Sequence, residues 1–144
     1  MTTIKTVAIA TVTLAIAGTV MGNDQEKLAG AWTCVSAVND GRPLPDDVAK
    51  MLRLTITKEG GYKTERGDQV LFDSKCTIDP ARTPKHIDLI GTEGENKGKA
   101  AQGLYALDGD TLTICYTMPG LERPSKLESK AGSGATLVVW KRNE

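Results

Sequence analysis

From Ala31 to the end of the chain, apolar and polar residues alternate in short runs divided by residues that favour reversals. A period of two marks a strand with one face turned to a core. Eight runs follow this pattern: Ala31–Val38, Leu52–Lys58, Tyr62–Glu65, Gln69–Ile78, Lys85–Ile90, Lys99–Leu107, Asp110–Thr117 and Ala135–Lys141. Gly60-Gly61, Gly67-Asp68, the Asp79–Pro84 segment, Gly94–Gly98 and Asp108-Gly109 lie between them and supply the positive or fixed φ that a reversal needs. Connections this short pair successive strands antiparallel. The expected fold class is therefore all-β, an eight-stranded antiparallel up-and-down barrel. Two connections are longer. "LPDDVAKM", Leu44 to Met51, places a proline and two aspartates ahead of helix-tolerant residues and predicts one short helix after the first strand. Met118 to Gly134 carries no period over 17 residues, and so long a loop in a small domain is commonly functional or mobile.

The alternation also assigns faces. Leu52, Leu54 and Ile56 share one face against Arg53, Thr55 and Thr57. The same parity turns inward Tyr62 and Thr64; Val70, Phe72, Ser74, Cys76 and Ile78; Ile87 and Leu89; Tyr105 and Leu107; and Leu112, Ile114 and Tyr116. Cys34 falls on the face of Trp32, whereas Cys115 and the single histidine, His86, fall on the outer face. Cys34 with Cys76 is then the one disulfide that facing permits, and Cys115 is expected to be the most reactive thiol.

The first 22 residues differ from the rest: Lys5 precedes an apolar, small and threonine-rich stretch from Val7 to Gly22. That run is shorter than the ~20 apolar residues of a membrane helix and ends in small residues, the pattern of a signal peptide cleaved between Ala17 and Gly22. The expected organisation is a leader over 1–22 and one domain over 23–144, exported to the periplasm or the cell exterior, with no stable membrane insertion after cleavage. Loss of Lys5 takes one cation from 18, against 18 acidic side chains. A near-neutral chain with interspersed charge lacks a nucleic-acid footprint.

Little in the sequence supports chemistry. An outward His86 disfavours a haem held inside by an axial histidine, and no His, Cys or carboxylate spacing suggests a metal site, so no cofactor is expected. Ser125, Ser129 and Ser133 lie in the long loop with no nucleophile-elbow motif. Asp46-Asp47 and Asp108/Asp110 sit where capping and turn residues belong, and "GTEGENKG" lacks the strand-to-helix setting of a phosphate loop. No catalytic residue is assigned, and the protein is expected not to be an enzyme.

Gly30-Ala31-Trp32, opening the first strand, resembles the G-x-W signature of lipocalin-like barrels. The resemblance implies that Trp32 plugs the closed end, under a basic residue near the end of the last strand; Lys141 and Arg142 stand there. The order "GAWTCVSAVNDGRPLP", "TPKHIDL", "TEGENKGK", "GLYALDGDTLTICY", "PGLERP", "GSGATLVVWKR" is similar to an uncharacterised family of exported lipocalin-like domains abundant in planctomycetes, which implies fold and export and carries over no site. Trp140, near the chain end, is expected to matter less to stability than Trp32. Such a barrel can enclose a small apolar molecule, and the candidate ligand-binding residues are Ser36, Leu54, Thr64, Phe72, Ser74, Tyr105 and Tyr116. The two long connections should then face each other over the mouth. The alternative is a barrel filled by the same side chains and meeting another protein, of unknown identity, or the envelope through its outer face or long loop.

Overall fold

In the computed structural model, which describes residues 24–143, the first strand β1 (Gly30–Asn39) leaves a helical segment, α1 (24–28), and turns at Asp40-Gly41 into a two-residue strand, β2 (Arg42–Pro43). The predicted short helix follows as α2 (Asp46–Ala49), with Pro45 at its N-cap and Asp46 and Asp47 in its first turn. The carboxylates suit the positive end of the helix. Then come β3 (Leu52–Ile56), β4 (Gly61–Arg66), β5 (Gln69–Asp79), β6 (Lys85–Gly91), a 3-10 turn at Gly94–Asn96, β7 (Ala100–Asp108), β8 (Thr111–Thr117) and β9 (Ala135–Arg142). Every ladder is antiparallel, and the order β1-β3-β4-β5-β6-β7-β8-β9 closes through β1–β9, giving an eight-stranded barrel with β2 added beside β1. This is the expected up-and-down topology. The expected leader lies outside the described residues.

Two β-bulges correct the faces assigned by strict alternation. In β1 the register with β9 shifts between Cys34 and Ser36, so Ala37 is buried while Ser36 is exposed. In β5 the register with β4 shifts between Thr64↔Phe72 and Glu65↔Val70, so Leu71 joins Phe72 inside the mouth and Val70 sits outside, exposed, opposite Glu65. One extra residue in a strand inverts the facing of all that follow it.

The end from which β1 starts is sealed. Trp32 is 0 % exposed, and its indole Nε1–H donates to the Leu28 carbonyl at 3.1 Å. The Arg142 guanidinium, rather than Lys141, lies over the Trp32 ring, 4.2 Å from its centroid. It also donates to the Ala29 carbonyl at 3.1 Å and to the Lys27 carbonyl. Gly30 has φ +141°, and a Cβ there would come within 3.0 Å of Arg142 Nη1; glycine at this position admits both the backbone conformation and the arginine. The helical segment, unforeseen from the hydrophobic pattern, completes the seal: Leu28 is fully buried, and Asp24 Oδ2 accepts from the Tyr105 hydroxyl at 2.7 Å and from Lys85 Nζ at 2.9 Å. Burial pushes the Asp24 carboxyl up, but those two donors and the Lys85 charge outweigh it and hold the group below its ordinary range.

At the other end, the long connection between β8 and β9 begins at the mouth with Met118 and Pro119 and then folds back over the outer wall. Arg123 donates to the Gly103 carbonyl at 2.7 Å and the Ile87 carbonyl at 3.3 Å, and pairs with Asp88 at 2.7 Å. The Thr117 hydroxyl donates to the Glu122 carbonyl at 2.8 Å. Its far end is tied to the β1–β2 turn: Gly41 N–H donates to Ser129 Oγ at 3.0 Å and Gly134 N–H to Asp40 Oδ1 at 2.8 Å. A side chain at Gly41 would strike the Ala131 backbone. Cys115 is outward-facing as predicted, yet it is 0 % exposed, because this strap lies over it and the Glu128 carbonyl accepts from its thiol at 3.4 Å. The expectation of an accessible Cys115 is therefore corrected. Leu104, its cross-strand neighbour, is also buried but outside the interior cluster.

Candidate ligand cavity

Inward-facing side chains change in size along the barrel. In the sealed half Trp32, Leu54, Ile56, Ile87, Tyr105, Leu112 and Ile114 fill the cross-section. Toward the mouth the inward positions mix small residues, Ala37, Thr64, Ser74, Ala101 and Val138, with the larger Leu52, Phe72, Leu89 and Tyr116, and a cavity of about 360 Å³ opens among them. An eight-stranded barrel is just wide enough for this choice: large side chains close it and small ones leave room for one small molecule.

Trp140 lines the cavity, together with Leu52, Tyr62 and Leu89. It pairs with Cys34 on β1 and Leu112 on β8, one inward position above the Trp32↔Arg142 pair. The ring is 2 % exposed, and its Nε1–H is buried without a hydrogen-bond partner among the described residues. A donor stranded in this way typically costs ~1–3 kcal/mol. Trp140 is thus enclosed even though it stands near the chain end. The upper wall carries Thr64, Ser74 and Tyr116, with Phe72 edge-on to Tyr116 at a centroid distance of 6.5 Å. Burial pushes the phenols of Tyr62 and Tyr116 above their ordinary value, which keeps both neutral at physiological pH. Leu44 and Val48 from the first long connection and Met118 and Pro119 from the second all line the cavity, so both connections reach the same end, although most of the second lies on the outer wall. The rim also bears Asn39, Arg66, Asn96, Lys99 and Thr136.

Of the residues singled out from sequence, Thr64, Phe72, Ser74 and Tyr116 line this cavity. Leu54 and Tyr105 are inward but buried in the sealed half, Tyr105 being committed to Asp24. Ser36 is on the outside, displaced by the β1 bulge. Trp140, Leu71, Ala37, Ala101, Arg66 and Lys99 were not singled out. Parity carries the signal for three of them, since Arg66 continues the inward series Tyr62–Thr64, Lys99 precedes Ala101 by two, and Trp140 follows Val138 by two. The three thiols are all free and buried; burial raises Cys34 to about 11 and lifts Cys76 and Cys115 above their ordinary value. His86 lies on the outer wall opposite Leu104, and among the described residues no group of three or more His, Cys, Asp or Glu is placed to hold a metal ion.

The fold is an up-and-down barrel of lipocalin-like topology, plugged at one end and hollow at the other. Comparison with protein families, with curated proteins and with solved structures finds no match to this chain.

Proposed function

We propose that this protein is an exported binding domain that holds one small, mainly apolar molecule in the mouth-side cavity and catalyses no reaction. The observation that carries the reading is the hollow itself. About 360 Å³ lies at the lower end of small-molecule pockets, which run from about 300 to 1,000 Å³ and pair an apolar lining with a few polar groups. Leu52, Leu89, Ala101 and Val138 supply the first, and Thr64, Ser74 and Tyr116 the second. The competing reading of a filled barrel does not account for this open volume. The export component rests on the Val7–Gly22 stretch.

Titration with the neutral probe N-phenyl-1-naphthylamine tests the reading. Saturable one-to-one binding is expected, read as a rise in probe fluorescence. Ala101→Phe should fill the space and abolish binding while the protein stays folded. A probe that fails to bind the wild-type protein, or that binds Ala101→Phe equally well, defeats the proposal.

A further inference from the structure

The chain carries 18 basic and 18 acidic side chains, yet the cavity lining contains two cations, Arg66 and Lys99, and no carboxylate. The imbalance comes from placement. Arg66 is the third inward residue of β4, after Tyr62 and Thr64, and Lys99 stands one inward step above Ala101, so both reach the mouth on the interior parity. Neither takes part in an ion pair among the described residues, where Arg82, Lys85, Arg123, Lys130 and Arg142 do. The nearby acids, Glu65 and Asp68 at the β4–β5 hairpin and Glu93 and Glu95 before β7, do not line the cavity. A smaller hollow of about 280 Å³ between the strap and the ends of β8 and β9 makes the contrast: there Glu122 and Glu128 stand with Arg123, Lys126 and Lys130. Besides the two mouth cations the lining is mainly apolar, with Leu52, Leu89, Ala101 and Val138, and Leu71 and Met118 add to it. An apolar tube with unneutralised positive charge confined to its opening matches a molecule that is apolar along its length and anionic at one end. Low-dielectric walls concentrate such a field at the mouth.

We infer that the cavity takes a single-chain anionic amphiphile, tail inward and head group at the mouth against Arg66 and Lys99. The inference rests on the binding role proposed above and specifies its ligand class. Its test is calorimetry on the purified protein with three probes of equal chain length: decanoate, decan-1-ol and decyltrimethylammonium. Decanoate is expected to bind about tenfold more tightly than decan-1-ol at low salt, and decyltrimethylammonium more weakly than either. The preference of decanoate over the alcohol should shrink at about 0.5 M salt, because exposed charges are screened. Lengthening the carboxylate should tighten binding about fourfold per methylene until the tube is full. The double variant Arg66→Gln/Lys99→Gln should lose the preference and bind decanoate and decan-1-ol alike. Should wild type bind decanoate no better than decan-1-ol, or the double variant keep the full preference, charge selection is wrong while the binding role stands. Should none of the three bind, the binding role falls and the inference with it.

Discussion

The two halves of this barrel are continuous strands with the same alternation, but they handle their polar groups differently. In the sealed half every large group has a partner: Trp32 Nε1–H reaches the Leu28 carbonyl, Arg142 covers the ring, and Tyr105 and Lys85 converge on Asp24. In the mouth half the other tryptophan, Trp140, is just as enclosed and has no partner for its N–H among the described residues, beside a cavity that small residues leave open. One half is organised for stability. The other forgoes packing and hydrogen bonding at its cavity wall, the kind of local cost that binding sites retain.

The two tryptophans provide the largest test. Trp32→Ala should lose ~3–5 kcal/mol in denaturant unfolding, since it removes a fully packed ring together with a hydrogen bond and a cation–π contact. Trp140→Ala should lose less, because its ring already borders a void and its N–H has no bond to forfeit, and it should enlarge the cavity. Equal losses, or a greater loss at Trp140, would mean that the mouth half is packed as tightly as the plug.

A smaller effect is expected where the strap crosses the outer wall. Arg123→Ala removes donors to Gly103 and Ile87 and the pair with Asp88, a change that typically costs ~1–3 kcal/mol. Its sharper signature is at Cys115, which should react slowly with a bulky thiol reagent in the wild type and markedly faster in the variant, while Cys34 and Cys76 stay protected. An unchanged Cys115 rate would show that burial of the thiol does not depend on the Arg123 anchor.

The smallest effect is expected at the plug's carboxylate. Asp24 is held below its ordinary value of 3.8, so its contribution to stability is complete above that value and disappears as pH falls through the depressed folded pKa. Unfolding midpoints measured from neutral pH down to about pH 2 should therefore fall less steeply for Asp24→Asn than for wild type. Parallel curves would place acid sensitivity elsewhere and make the two halves equivalent in this respect.

Much of the plug was legible because its residues advertise themselves locally. The glycine two places before Trp32 stands beside the ring it serves, and the basic pair after Trp140 is conspicuous at the end of the last strand, although its Arg142 serves the distant Trp32. The cavity was only half legible. Thr64, Phe72, Ser74 and Tyr116 follow from parity alone, whereas Leu54 and Tyr105 share that parity and still belong to the plug. Alternation says in or out and carries no information about height along the barrel axis. Ser36 failed for a different reason, since a bulge is a property of two paired strands and leaves no mark in the single strand that contains it. Cys115 failed for a third: its outward facing was right, and a segment with no period of its own covers it.

By itself the sequence determined the strands, their order and most of the faces, because a period of two and the chemistry of turns act over a few residues. Tertiary structure alone decided where the small inward residues collect, which tryptophan is satisfied and which is stranded, that Arg66 and Lys99 share one opening, and that the long connection lies outside the wall. These depend on strand stagger, bulges and ring closure, which relate residues far apart in the chain and are fixed only when β9 pairs with β1.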